Sequence, residues 1–345
     1  MVEEIFTQLL IDVVIIAVSF VVMNWASNLT INNAVKLSTI TGLGKTAVGF
    51  SLIAFSTSLP ELTVAFIAAF SGGAALSIGN VLGSNIVNIC VVVGIAAFLV
   101  YFQHRRRSKR SNEPTSVDCN IVPSFAKSEL SSIYFGLFIS SIVPIVLIFV
   151  SAATWVVGLV LISIFIAYMY QLTKVRMPQE EVEVVTEEEK GKSKRYALFT
   201  IAGALGVVVS AYFLVESAVG IAQLAGLSQQ VIGATVIAIG TSLPELTLGL
   251  KSILKGHPGL AFGDIIGSSF VNITLILGVT LFVPALIGTP LIFRMDVFQN
   301  LILFSIVTNM IFWYFLSRGQ IGRREGMVFL FIYILFIVTT IGTMA

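Results

Sequence analysis

Charge is what this chain has least of. Asp, Glu, Lys and Arg make up 11% of its 345 residues, against about 25% in a soluble domain. That leaves too little polar surface to face water all round, which excludes an ordinary soluble enzyme or binding module. The net charge of +2 carries little information, because placement matters more than the sum in such a chain. Cysteine is nearly absent too: Cys90 sits in an apolar run and Cys119 in a polar one, so no disulfide framework is expected. The two histidines, His104 and His257, fall in polar stretches, which removes imidazole chemistry from the apolar segments. Ser-His, paired-aspartate and HExxH arrangements are likewise missing from those segments, which argues against an intramembrane enzyme. The opening "MVEEIFTQLL" has acids where a signal peptide carries basic residues, and the first apolar run is expected to be a mature helix.

What is present is apolar length. Hydrophobic residues are 57% of the chain and the mean hydropathy is +0.98. A spanning helix needs about 20 mostly apolar residues. Ten segments meet that test, at approximately 5–27, 46–70, 77–101, 131–150, 152–172, 196–222, 230–253, 259–285, 296–317 and 326–343. Nineteen of the 20 basic residues then fall in the odd-numbered loops, and Arg294 alone lies on the other side. The positive-inside rule makes those loops cytoplasmic and puts both termini outside the cell membrane. A wrong span count would scramble this segregation. The loop 102–130 is basic and polar, which suits a solvated topology signal or an anionic-lipid contact. The stretch 173–195 holds Glu187, Glu188 and Glu189 between basic ends and is too short for a folded domain, so it reads as a cytoplasmic linker.

The sequence also repeats itself. Shifted by 184 residues, 42–94 lies on 226–278 without a gap, with 21 identities in 53 positions and an unbroken TSLPELT. Equivalent points are five spans apart, and five is odd, so the halves face opposite ways. The expected fold is therefore an all-α integral membrane protein of ten transmembrane helices in two inverted five-helix repeats, 1–172 and 196–345. Inverted repeats of this kind belong to secondary transporters, which hold substrate near the midplane between the halves.

The best-matched stretches are the polar ones, which duplication for packing alone does not require. Thr57, Ser58 and Glu61 pair with Thr241, Ser242 and Glu245 around Pro60 and Pro244. A proline within a helix removes a backbone bond, so carbonyls in this turn, including those of Ala54 and Ala238, are expected to turn towards a cavity. The second element places Asn80, Ser84 and Asn88 against Asp264, Ser268 and Asn272 at i, i+4, i+8 spacing, one face of a helix. The glycines of "GNVLGSN" and "GDIIGSS" read as close-packing residues. The donor set is all oxygen: two carboxylates, two amides, six hydroxyls and the freed carbonyls. Ca²⁺ takes about 6–8 oxygens, whereas zinc or copper wants imidazole or thiolate. Two glutamates balance one Ca²⁺ or two Na⁺, so one site is filled by either and poorly by both. No arginine lies mid-membrane to fix an organic solute.

Two copies of a GTSLPE-like stretch, each followed by GS-x-x-x-N, resemble the α-repeats of the cation/calcium antiporter superfamily, in particular prokaryotic Na⁺/Ca²⁺ exchangers. The resemblance covers both repeats, and ten helices with the tail "QIGRREGMVFLFIYILFI" extend it over most of the chain. It implies alternating access, with Na⁺ running inward to drive Ca²⁺ outward. It implies cation ligands at Glu61, Glu245, Asn88 and Asn272, with Thr57, Ser58, Ser84, Thr241, Ser242 and Ser268, and carbonyls at Ala54 and Ala238. It calls for no cofactor beyond the transported Ca²⁺ and Na⁺, no nucleic acid, and no partner besides the lipid bilayer, the chain working as a monomer.

Asparagine at 272, where K⁺-dependent members look to have aspartate, argues for K⁺ independence. Proton-coupled relatives carry GNATE-like motifs instead of TSLPE, which makes H⁺/Ca²⁺ exchange the alternative. Three departures stand out. Ser56 replaces the glycine found at Gly240 and adds a hydroxyl of unknown use. Asp264 stands where the first repeat has Asn80, and its early place in helix eight suggests a cytoplasmic mouth where it draws cations in. Neither Asn88 nor Asn272 is acidic, leaving two carboxylates to balance Ca²⁺. Asp12 and Glu216 lie near helix ends and read as interfacial.

Overall fold

The computed structural model describes residues 2–71, 74–111, 120–122, 127–149, 154–172, 191–224, 238–288 and 295–344. Among these the chain is helical, without a β-strand. Seven helices are long and apolar enough to cross a membrane, and an eighth span arises if the bent pair Lys45–Thr57 and Leu59–Phe66 counts as one. The described parts of the ten apolar segments are helical except at the turns of Ser58 and Ser242; 230–237 and most of the 173–195 stretch lie outside the described residues.

The first helix runs Val2–Thr41, well past the expected end at 27. Its polar extension survives because Ile31, Ala34 and Leu37 recur at helical spacing and bury against Ala204 and Val207 of the helix Ser193–Leu224. Close approach of this pair depends on Gly203, where a Cβ would meet the Thr30 nitrogen at 2.8 Å and the Ala26 oxygen at 2.9 Å. The outward face of the first helix carries Phe6, Leu10, Phe20, Val21 and Trp25 in the open, as a lipid-facing surface does. Asp12 is buried on the inner side of this helix beside Gly220, whereas Glu216 is exposed.

The rest packs around the helix Pro258–Val271, buried almost throughout. One side of it rests on an aromatic cluster in which Tyr168 and Phe270 rings lie 4.7 Å apart and Phe135 and Tyr168 rings 4.9 Å apart. Its other side lies against the polar stretch Lys45–Thr57. Asp264 is therefore interior, 1% exposed, and not at a mouth. Position along a helix tells how deep a residue lies but not which neighbour covers it, and here that neighbour is Thr57.

Candidate functional site

Two short breaks build the site. The helix Ala54–Thr57 stops at Ser58 and resumes as Leu59–Ser71 after a bend of 44°. The matching helix Ala238–Thr241 stops at Ser242 and resumes as Leu243–Leu254. Ser58 has φ −81° and ψ 7°, and Ser242 has φ −91° and ψ 8°. Pro60 and Pro244 sit in the first turn after the break, where no N–H donor is needed. Each break thus presents Thr, Ser and Glu side chains around one unwound corner. The carbonyls are not all freed, however. The Ala54 oxygen accepts the Ser58 N–H at 3.0 Å, so the helix ladder is kept there and only its second lone pair faces the side chains.

Two further helices close the site. Pro258–Val271 approaches Lys45–Thr57 through Gly263 and Gly267; a Cβ on Gly267 would stand 2.7 Å from the Cα and oxygen of Phe50. That contact brings Asp264 and Ser268 onto Thr57. The helix Ala74–Val87 brings Ser84 onto Glu61. Gly83, at the position matching Gly267, has nothing described within 4 Å of a Cβ. Both helices then widen into π-helical turns, Asn88–Val93 and Asn272–Ile276, which begin at the two candidate asparagines. A π-turn costs regular backbone hydrogen bonds and is commonly found at functional sites.

The site is buried and under-satisfied. Glu61, Glu245 and Asp264 are each 1% exposed, and one carboxylate oxygen of each has no hydrogen-bond partner among the described residues. The same holds for the hydroxyls of Ser58 and Ser242, the amide oxygen of Asn272 and both amide atoms of Asn88. Buried polar groups are nearly always paired, and an unpaired one costs about 1–3 kcal/mol. Glu61 and Glu245 repel each other, as do Glu245 and Asp264. So many unpaired acceptors around a chain of like charges call for a cation.

The distances point the same way. Away from the site, buried hydroxyls make normal hydrogen bonds, such as Ser77 to Thr280 at 2.6 Å and Thr274 to the Phe270 oxygen at 2.6 Å. Within it they are long: Ser84 to Glu61 Oε1 3.4 Å, Thr57 to Asp264 Oδ1 3.4 Å, and Thr57 to Ser268 3.3 Å. O–H···O bonds prefer about 2.7–2.8 Å. Oxygens at right angles around a cation about 2.4 Å away stand about 3.4 Å apart. Among the described residues no three His, Cys, Asp or Glu side chains converge on one metal-holding point. What surrounds the point is one or two carboxylates and otherwise neutral oxygens.

Of the expected residues, Thr57 meets Ala54, Ser268 and Glu245, and Ser84 meets Glu61. Asn88 and Asn272 are buried and open their π-turns, and Thr241 ends the short helix that Ala238 opens. Two residues outside the expected ligand set join these contacts. Asp264 belongs to the Thr57 group, and its mismatch with Asn80 was the signal. Asn85 accepts a hydrogen bond from Asn272 Nδ2 at 3.0 Å and donates to the Ser269 oxygen at 3.4 Å. It lies one residue off the i, i+4, i+8 face and is matched by serine, so spacing and repetition both passed it over.

An apolar multi-helix chain with a buried, oxygen-only, cation-seeking centre defines a membrane cation transporter. Its helices match a solved structure of the sodium-calcium exchanger NCX_Mj with a TM-score of 0.77 at 24% identity, covering 96% of this chain and 99% of that one. It is 27% identical over 349 residues to the sodium/calcium exchanger MaX1 of Methanosarcina acetivorans, covering 95% of this chain and 98% of the relative. The inner membrane protein YrbG of Escherichia coli is 27% identical over 297 residues, 83% of each. The sodium/calcium exchanger protein family matches residues 11–174 and 195–342, and this chain belongs to it. It is a multi-pass membrane antiporter that exchanges a cation against Ca²⁺, and not an enzyme.

Proposed function

We propose that the coupling ion is Na⁺ and that the two breaks form one exchange site shared between Glu61 and Glu245. The observation that carries this reading is the set of unpaired buried oxygens on both glutamates and on Ser58, Ser242, Asn88 and Asn272. Oxygen donors alone suit hard cations. Two carboxylates neutralise one Ca²⁺ or two Na⁺, so each ion excludes the other from the same ligands, and exclusion is what couples their fluxes. Thr57, Ser84, Thr241 and Ser268 with the Ala54 and Ala238 carbonyls complete the shell. The frame is ten spans in two inverted repeats, 1–172 and 196–345, with 173–195 as a cytoplasmic linker and both termini outside. Exchange then proceeds by exposing the single site to one side and then the other, in a monomer. The names of the relative MaX1 and of the structural neighbour, both sodium/calcium exchangers, support the same ion pair.

The test is Ca²⁺ uptake into liposomes loaded with Na⁺ and diluted into Na⁺-free medium. Uptake is expected to require the Na⁺ gradient, to ignore K⁺ and a pH gradient, and to vanish in Glu61→Gln. Uptake driven by a pH gradient alone moves the protein to proton coupling and overturns the reading.

A further inference from the structure

We propose that Lys251, Lys255 and His257, with Lys45 beside them, form a docking point for the phosphate of an anionic membrane lipid. Such a point requires only that the chain spans the membrane, and it stands whichever ion is exchanged against Ca²⁺. Lys251 and Lys255 are four apart, on one face at the end of the helix Leu243–Leu254. The chain then turns at Gly256, φ +81°, and His257 precedes the helix Pro258–Val271. Lys45 opens the helical part of the first polar stretch, and its Cβ lies 3.5 Å from where a Cβ on Gly259 would stand.

The first helix holds both lysines through neutral oxygens. Lys251 Nζ donates to the Asn24 backbone oxygen at 2.7 Å and to Asn24 Oδ1 at 2.6 Å. Lys255 Nζ donates to Asn32 Oδ1 at 3.1 Å. These bonds fix two ammonium groups in place and leave their charges uncancelled. An ammonium carries three donors, so each lysine keeps at least one for a phosphate oxygen. The charges that act on His257 are cations as well: after its burial, Lys45 and Lys255 hold its imidazole below the usual range. Its Nδ1 is buried and has no partner among the described residues. The Glu129 carboxylate packs against Gly44, next to Lys45, so Lys45 is the least free of the four.

Depth makes the occupant a lipid and not a dissolved anion. Trp25, beside the Asn24 that holds Lys251, is exposed, and so is Leu254, beside Lys255. Exposed tryptophan on a spanning helix marks the level of the headgroups. Ammonium groups and apolar side chains therefore stand together where phosphate and acyl chain adjoin. Glu245 lies in the first turn of the helix that carries Lys251, so a lipid held here anchors an element of the exchange site to the first helix.

Bromine on an acyl chain quenches a neighbouring tryptophan, and the chain has three tryptophans. Trp155→Phe with Trp313→Phe leaves Trp25 as the emitter. This parent protein is reconstituted in phosphatidylcholine mixed with brominated phosphatidylglycerol or with brominated phosphatidylcholine. A basic residue near an anionic surface is worth about 1 kcal/mol, roughly fivefold, so two lysines give phosphatidylglycerol a preference of about 25-fold. Lys255→Gln is expected to lower that preference about fivefold. Lys251→Gln combined with Lys255→Gln is expected to remove it. Equal quenching by the two lipids in the parent overturns the proposal, as does a preference that survives the double variant. Should the double variant not fold, Lys255→Glu, at an exposed side chain, is expected to abolish the preference, and an unchanged preference overturns the proposal. A preference erased by millimolar inorganic phosphate at matched ionic strength assigns the point to the free anion and overturns the lipid.

Discussion

The two polar stretches share a backbone and divide the chemistry. Ser58 and Ser242 hold nearly the same dihedrals, and the next turn closes alike, Leu62 N–H to Ser58 and Leu246 N–H to Ser242 both at 3.0 Å. Asn88 and Asn272 both open π-turns. Side chains depart from that symmetry in a consistent direction. The first stretch supplies a brace, with Asn85 reaching across to Asn272 and the Ser269 oxygen. The second supplies charge, with Asp264 where the first has Asn80. The hydroxyl of Ser269, which matches Asn85, donates to the Ile265 oxygen of its own helix. Backbone geometry is duplicated between the two stretches, whereas the side chains that differ, Asn85 against Ser269 and Asn80 against Asp264, are not.

The sharpest break of that symmetry is to remove one glutamate at a time. Glu61 has Ser84 as its hydroxyl partner and Glu245 has Thr57. If the two serve one shared cation, Glu61→Gln and Glu245→Gln lose transport equally, each by about 100-fold or more, since removing one partner of a buried charge pair costs about 3–5 kcal/mol. Saturation binding of radioactive Ca²⁺ in detergent checks this. One variant retaining near-normal affinity means that the halves hold separate ions.

The helical class and both breaks were legible because proline, carboxylate and hydroxyl interrupt apolar runs at matched positions. Contacts between halves were not. Asp264 belongs to the Thr57 group 207 residues away, and sequence offers depth within a helix but no cross-chain neighbour. The Ala54 carbonyl was expected free, but a helix can bend at Ser58 while its Ala54 bond persists. The extension of the first helix to Thr41 was hidden because Lys36 and asparagines mask the apolar stripe that packs on Ala204.

A smaller effect is expected from the brace. Asn272 donates its Nδ2 to Asn85, which leaves its unpaired oxygen available to a cation. Asn85→Ala frees that amide to rotate, and loss of a group that orients a ligand typically costs about 10–100-fold in metal affinity. Ca²⁺ affinity is expected to fall by about tenfold, while Asn85→Asp, which keeps the acceptor, recovers most of it. Ser269→Ala removes only a bond within its own helix and is expected to change affinity less than twofold. Equal effects at 85 and 269 make the brace symmetrical after all.

The smallest effect concerns the residue just before each break. Gly240 has no room for a side chain, because a Cβ there would press into Val215, with Cγ1 at 2.8 Å. Ser56, its match, is buried and turns its hydroxyl to the Leu52 oxygen at 2.7 Å, an ordinary in-helix bond that keeps it out of the cation shell. The hydroxyl that looked unexplained in the sequence is therefore structural. Gly240→Ser is expected to lower stability by about 1–3 kcal/mol through overpacking. Ser56→Gly is expected to cost less than about 1 kcal/mol through backbone entropy and the lost bond. Thermal unfolding in detergent ranks the two, and Ca²⁺ affinity in Ser56→Gly is expected to match the wild type. An affinity loss in Ser56→Gly instead returns that hydroxyl to the site and gives the first half a ligand that the second lacks.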